Sequence, residues 1–339
     1  MIRQMSYLIL IVFYPSYVTV ASSCQTSARP VSRIACPRCC VCYNGCMDVG
    51  IIIVNYKTRT LLRRCLETVF ANTGCTYQVC VVDNHSQDGS SEMVASEFPQ
   101  VHLVANQANV GYPAANNQGL RQFGFGDGRS EPVPRYALLL NADTELPSDV
   151  LEKVVAFADE KDKIGVVGPK LVRPDGSLDL ACRRSFPTPL VSFYRMSGLA
   201  KLFPHNRRFG QYNLTYMDEN RTLEVDSVVG AFMLVRREAI AAAGLLDESF
   251  FMYGEDLDWA YRIKSRGWYV YYYPEVQVLH VKRASSRQNP RANVEFWRSM
   301  EIFYRKHYAA ATPAVLHKLI VAVIRTQVQV TRWRMRLTG

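Results

Sequence analysis

Four stretches of this chain are continuously apolar, and each stops at a cluster of Asn, Asp or Gly. Val49–Val54 runs into Asn55-Tyr56-Lys57, and Val79–Val82 into Asp83-Asn84. Val101–Val104 leads to Asn109-Val110-Gly111-Tyr112, and Tyr136–Leu140 reaches Asp143. Short β-branched runs without polar alternation are strands covered on both faces. The intervals between them have helical spacing. Between Thr58 and Ala71, for example, Leu61/Leu62, Leu66 and Val69/Phe70 recur on one face. Pro147–Glu160 reads as a helix with Pro near its first turn, followed by a strand over Ile164–Val167. Alternation of this kind makes a mostly parallel, doubly wound α/β sheet, whose ligands sit outside the carboxyl ends of the strands.

Regularity weakens between Arg173 and Thr222, a mixed insert, and then returns. A strand is expected over Val225–Val235, helices over Arg237–Ala243 and Gly254–Arg266, and strands near Tyr269–Tyr273 and Val276–His280. A polar, basic loop (282–293), a helix to Tyr308 and a basic helix opening at Pro313 complete the chain. The expected organisation is a leader over residues 1–46, one catalytic domain over 47–311 with its halves meeting near 168, and a C-terminal amphipathic helix over 312–339.

The net charge of +10 is concentrated at the ends. Residues 1–46 carry four Arg and no acid, residues 313–339 carry five basic residues and no acid, and the middle is nearly neutral. A duplex-binding footprint needs basic residues spread over the folded domain, so nucleic acid is not the expected partner. Six of the ten cysteines also precede Met47. Cys36-Pro37-Arg38-Cys39 has no second CxxC or paired His at finger spacing, and the four remaining cysteines are scattered as in a reducing compartment. The first 23 residues imitate a signal peptide, interrupted by Pro15. The alternative is that translation begins at Met47; cytoplasmic placement follows from that reading.

The strand-end residues have a chemistry in common. Asp83 can accept from a base N–H, Tyr56 can stack on that base, and Asn55 can fix its edge; Asp83 is equally an ordinary turn residue. Asp143 closes Leu138-Leu139-Leu140-Asn141-Ala142-Asp143, the way a sheet presents a metal or phosphate ligand. Glu255-Asp256 sits among Phe250, Phe251, Tyr253 and Trp259. There a carboxylate is placed to deprotonate an acceptor hydroxyl, or simply to favour a helix N-terminus. Asp258 is expected to pair with Arg262.

Taken in order, Ile51–Tyr56, Val81–Ser90, Asn109–Asn117, Asn141–Thr144 and Phe251–Asp258 resemble the motifs of family 2 inverting glycosyltransferases, in particular the rhamnosyltransferase-like branch, over about residues 48–308. The resemblance implies a GT-A fold, a nucleotide-diphosphate sugar donor (dTDP- or UDP-linked) and a divalent metal, Mg2+ or Mn2+. By position it makes Asp83, with Asn55, Tyr56, Asn84, Asn109, Gly111 and Asn116, the nucleotide-sugar side. Asp143 becomes a metal–diphosphate ligand, His280 a further metal ligand and Asp256 the catalytic base. Tyr253, Glu255 and Trp259 fall on the acceptor side. One departure stands out: many GT-A enzymes carry Asp-x-Asp at the metal strand, and here the first position is Asn141.

Arg283 and Arg287 lie in the loop after His280, which is either a solvated basic loop or a lid over the diphosphate. The tail sets Val315, Leu316, Leu319, Ile320, Val323 and Ile324 on one face beside basic residues. This is the pattern of an interfacial helix on an anionic membrane, or of a helix packed on the core. No segment is long and apolar enough to cross a bilayer. Processive synthases of the family carry Gln-x-x-Arg-Trp, whereas here Gln288-Asn289-Pro290-Arg291 is followed by Ala292. The expectation is therefore a single-addition enzyme of cell-envelope polysaccharide synthesis, cytoplasmic or peripheral on the inner membrane face, with a saccharide or polyprenyl-linked saccharide acceptor. Two other classes compete: a sugar nucleotidylyltransferase, which would need a Gly-rich loop after the first strand, and a catalytically inactive sugar-nucleotide-binding subunit.

Overall fold

The computed structural model describes residues 47–126, 133–281 and 292–338. The expectations for the leader and its CxxC, and for Arg283 and Arg287, lie outside the described residues.

The chain opens with β1 (Val49–Asn55), α1 (Arg59–Phe70), β2 (Tyr77–Asp83), α2 (Ser90–Glu97), β3 (His102–Ala105), α3 (Tyr112–Gln122) and β4 (Tyr136–Asn141). Strand order β3-β2-β1-β4 is parallel throughout. Ile51, Ile52 and Ile53 are fully buried, as a strand sandwiched between helix layers requires. α1 turns Leu62, Cys65, Leu66 and Val69 inward at i, i+3, i+4 and i+7. Each such side chain contributes roughly 1.5–3 kcal/mol by leaving water. Because β2 and β4 lie on opposite sides of β1, strand order reverses there. Asn55 pairs in register with Asp83, and Val54 with Asn141, so three strand ends converge at that switch point.

The second half is mixed. It comprises β5 (Thr144–Glu145), α4 (Val150–Asp159), β6 (Ile164–Val172), α5 (Pro189–Met196), α6 (Leu199–Leu202), β7 (Leu223–Val225) and β8 (Phe232–Arg236). α7 (Arg237–Ala243), α8 (Glu255–Ser265), β9 (Tyr269–His280), α9 (Ala292–His307) and α10 (Ala314–Thr338) follow. β8 runs antiparallel between β4 and β6, and β9 joins β6 in parallel.

Two local expectations change. The strand expected over Val225–Val235 is two strands, because residues 226–231 leave the sheet. There Ser227 exchanges backbone hydrogen bonds with Arg184, and the Gly230 N–H turns to Asp256. The two strands expected around Pro274 are one, β9; its register against β6 jumps between Pro169 and Lys170, a bulge that absorbs a residue unable to donate. The C-terminal helix packs on the rest of the chain along one face, as one of its two readings expects. Val321, Ile324 and Val328 are buried, while Val315, Leu319, Val323 and Trp333 stay exposed.

Candidate active site

The nucleotide side is built from the ends of β1 and β2. Asp83 accepts from Asn55 Nδ2 at 2.7 Å and from the Ser86 amide at 3.1 Å. Asn55 Oδ1 in turn accepts from Thr58 Oγ1 at 2.6 Å. Asn55 is fully buried, so its expected contact with a base edge is replaced by a supporting role: its amide holds Asp83. The left-handed backbone of Lys57, His85 and Gln87 (φ 55°, 66° and 56°) concentrates strain in the same turns, as functional loops often do. Tyr56 is half-buried and lies under Lys57 Nζ at 5.4 Å from the ring centre.

Asn84 and Asn109 form a staple. Asn84 Nδ2 donates to Asn109 Oδ1 at 2.9 Å, and Asn84 Oδ1 accepts from the Val110 amide at 3.0 Å. Gly111 (φ 90°) then packs so closely that a Cβ would stand 2.7 Å from the Phe251 carbonyl oxygen. Asn116 is fully buried; its Nδ2 donates to the Tyr112 carbonyl, and its Oδ1 has no hydrogen-bond partner among the described residues. These three side chains shape the loop rather than face outward from it.

Asp143 and His280 come together because β5 pairs with β9, with Thr144 opposite His280 and the Val281 amide donating to the Asp143 carbonyl at 2.9 Å. His280 Nε2 lies 3.4 Å from Asp143 Oδ1, and its Nδ1 lies 3.0 Å from Asp179 Oδ2. Burial alone would lower the imidazole pKa; hydrogen bonds to Asp143 and Asp179 more than reverse this and push it up to about 9. Asp179, fully buried and unanticipated from the sequence, stands where a carboxylate orients a metal-ligating histidine. One carboxylate and one imidazole nitrogen directed together suit a divalent cation that takes its other ligands from substrate phosphate and water. Among the described residues no cluster of three or more such side chains forms. Asn141 Oδ1 is engaged elsewhere, accepting from the Tyr112 hydroxyl at 3.0 Å.

Asp256 lies in the first turn of α8. The preceding Tyr253 and Gly254 are both left-handed (φ 67° and 82°), and the N-cap Gly254 has no side chain to cap the helix, so Glu255, Asp256 and Asp258 supply the negative charge of the first turn, as the helix-terminus alternative expects. Its Oδ2 accepts from Arg184 Nη2 at 2.8 Å and from the Gly230 amide at 3.0 Å, while Oδ1 accepts from the Leu257 amide. Burial would lower the Arg184 pKa, but the Asp256 carboxylate raises it above the ordinary arginine value. Burial, and next the charge of Asp256, push the Glu255 carboxyl up to about 8. Asp258 pairs with Arg262 as expected, and also reaches Lys306 and His307, tying α8 to α9.

The three residues expected on the acceptor side differ in exposure. Tyr253 is half-buried and edge-on to Phe296, and Glu255 is 6% exposed. Trp259 is fully buried with its indole N–H on the Gly244 carbonyl; it is core, not acceptor wall, because the fifth residue of the amphipathic α8 faces inward.

Tyr112 joins the two carboxylate sites. Its hydroxyl lies 3.0 Å from both Asn141 Oδ1 and the Gly230 carbonyl, and the Gly230 amide is bonded to Asp256. Its own pKa is raised, by burial first and then by the negative charge of Glu255, Asp256 and Asp143. Arg184, Asp179 and Gly230 were not picked out in the sequence, and Tyr112 entered only as part of a strand-end cluster, with no role of its own. A tyrosine after a glycine, or an arginine in an irregular stretch, carries no periodic signal.

Residues 50–242 match the family model described as glycosyl transferase family 2, more than half of the chain. Among curated proteins, the chain is 28% identical over 246 residues to an N-acetylglucosaminyl-diphospho-decaprenol L-rhamnosyltransferase of Mycobacterium tuberculosis. That match covers 72% of this chain and 79% of the relative. It is 21% identical over 259 residues to a dTDP-rhamnosyl transferase of Shigella flexneri, covering 76% and 77%. Among solved structures, GalNAc-T7 with UDP, GalNAc and Mn2+ superposes at a TM-score of 0.51 with 15% identity, covering 85% of this chain and 55% of that one. S. aureus TarS gives the same TM-score at 14% identity, covering 83% and 43%. The chain thus spans about half the length of these two structures, and they speak to the fold alone. On the family match and the mixed α/β architecture, this chain belongs to glycosyl transferase family 2 and is a glycosyltransferase with the GT-A fold.

Proposed function

We propose that the enzyme transfers one sugar, with inversion, from a nucleotide-diphosphate donor to a hydroxyl of a lipid-linked saccharide in cell-envelope glycan assembly, and that the sugar is rhamnose. The observation that carries this is the Tyr112–Gly230 bridge. The Tyr112 hydroxyl bonds Asn141, two residues before Asp143, and Gly230, whose amide holds Asp256, which supports a donor phosphate and an acceptor hydroxyl flanking one anomeric carbon. The two rhamnosyltransferases among its relatives supply the sugar, and the decaprenol-linked substrate named for one of them supplies the acceptor class.

In this mechanism Asp256 Oδ1, which among the described residues accepts only the Leu257 N–H, keeps a lone pair for the acceptor proton. The hydroxyl oxygen attacks the anomeric carbon as its proton passes to Asp256, the bond from that carbon to the diphosphate breaks, and the nucleoside diphosphate departs. Arg184 and Gly230 fix the carboxylate through Oδ2, so the base is positioned before the acceptor arrives. Asp143 and His280 would hold Mg2+ or Mn2+, which supplies Lewis-acid stabilisation to the departing diphosphate. Asp83 and Tyr56 hold the nucleotide base. Among the described residues no helix is long and apolar enough to cross a membrane. The reading places the enzyme in the cytoplasm, with α10 and its exposed Val315, Leu319 and Trp333 touching the inner face of the membrane.

The test presents purified protein with dTDP-rhamnose and a polyprenyl-diphospho-N-acetylglucosamine analogue, with UDP-sugars as competitors. Transfer to the analogue is expected, with Asp256→Asn abolishing it while the nucleotide sugar still raises the melting temperature. Full activity of Asp256→Asn, or binding without turnover by the unsubstituted protein, would overturn the assignment; the latter is the behaviour of an inactive binding subunit.

A further inference from the structure

The stretch from Leu180 to Met217 contains no Asp or Glu. Within it, α5 and α6 turn large apolar groups outward: Phe193 is 58% exposed, Met196 44%, Leu202 69% and Phe203 50%. Arg195, Lys201, Arg207 and Arg208 are exposed among them. A monomeric soluble surface seldom gathers so much apolar side chain in one place without a partner. The segment is also built rather than loose. Thr188 Oγ1 accepts from the Val191 amide at the start of α5, Tyr194 meets Phe209 edge-on at 5.0 Å, and Phe203 lies 5.7 Å from Phe209. Arg195 stacks on Tyr212 at 4.1 Å, and Thr215 Oγ1 donates to the Pro204 carbonyl. Half-buried aromatics thus brace the outward ones from beneath.

We propose that the 189–209 segment is a bilayer-contact surface that seats the acceptor side of the enzyme on an anionic membrane. Apolar tips ringed by cations, with acids excluded over the whole stretch, complement acyl chains beneath a negatively charged headgroup layer. A protein groove would have no need for so uniform a sign. The segment springs from Arg184, which holds Asp256, and Phe186 between them packs on Tyr261 of α8 at 4.9 Å. A membrane under α5 and α6 therefore lies a few residues along the chain from Arg184, the side chain that holds Asp256. This deepens the reading of a lipid-linked acceptor and rests on it only for the acceptor's identity.

Vesicle co-sedimentation of the full chain tests it, with phosphatidylglycerol/phosphatidylcholine vesicles against pure phosphatidylcholine, without donor or acceptor. Failure here leaves the transferase assignment standing, and failure of the transfer assay leaves this surface standing. Preference for the anionic vesicles is expected. The variant Phe193→Ser/Met196→Ser/Leu202→Ser/Phe203→Ser should reduce the partition coefficient at least tenfold with an unchanged melting temperature. Arg195→Gln/Lys201→Gln/Arg207→Gln/Arg208→Gln should remove the anionic preference. The parallel variant Val315→Ser/Leu319→Ser/Trp333→Ser on α10 should keep at least part of the binding. No partition of the unsubstituted protein, as for a surface that meets another protein, would overturn the proposal. So would partition unaffected by either 189–209 variant, or binding carried wholly by α10.

Discussion

The pair formed by Arg184 and Asp256 is the most consequential contact in the candidate site, and its strength can be worked out beforehand. Both side chains are under 9% exposed, so neither charge is relieved by water when its partner is removed. Truncating one member of such a pair typically costs about 3–5 kcal/mol, since the other is left as an uncompensated buried charge. Arg184→Met would also release the Val228 carbonyl and leave Asp256 Oδ2 with only the Gly230 amide. Asp256→Asn alone should also be costly, because one amide oxygen replaces the two that the Gly230 and Leu257 amides bond, and Arg184 loses its counter-charge. If the loss in Arg184→Met comes from a stranded anion, Arg184→Met/Asp256→Asn should recover about 2 kcal/mol or more relative to the sum of the single variants. Urea denaturation of the four proteins, followed by tryptophan fluorescence and circular dichroism, measures this coupling directly. Single losses that simply add would show that the two side chains do not sense one another. The idea of an arginine-positioned base would then fail.

Other outcomes follow from the same geometry. Glu255 has its folded pKa raised to about 8 from an ordinary value near 4.5, so the folded state binds the extra proton between those limits. Stability should therefore be greatest below about pH 4.5 as far as this group is concerned, and fall as pH rises towards 8. Glu255→Gln should flatten that decline and gain about 1 kcal/mol or more at pH 8; an unchanged pH–stability curve would contradict it. Gly111→Ala adds a methyl 2.7 Å from the Phe251 carbonyl at a φ of +90°, and a loss of about 2 kcal/mol or more is expected in thermal unfolding. Asp179→Asn should weaken Mn2+ binding in the presence of nucleoside diphosphate by about 10–100-fold, read by electron paramagnetic resonance or calorimetry. An unchanged affinity would remove Asp179 from the cation site.

Much of the donor half was legible in the chain. Continuous apolar runs forced strands buried on both faces, and the Asn and Asp residues that stop them had to gather at one edge once those strands paired in parallel. His280 reached Asp143 through a two-residue strand too short to carry any pattern. What stayed hidden depends on tertiary contact. Arg184 and Asp179 sit in a stretch without periodicity, and their roles arise only when β7, β8 and β9 close around it. Residues 226–231 look apolar enough to be strand, yet their amides and carbonyls are claimed by Arg184 and Asp256. Trp259 looked like a ligand-facing aromatic by its neighbours in sequence, whereas helical phase turns it into the core.

The contact between Gly111 and Phe251 has a further effect. The amide of Tyr112 also donates to the Phe251 carbonyl, at 2.8 Å. The turn leading into α3 and the turn leading into α8 are thereby welded across some hundred and forty positions of sequence. Neither can shift unless the other follows. A chimera that borrows its amino-terminal portion from a relative, cut where the family match ends at residue 242, would sever that weld. Exchange of specificity between such enzymes should thus succeed only when Phe250-Phe251 travels with the glycine it faces.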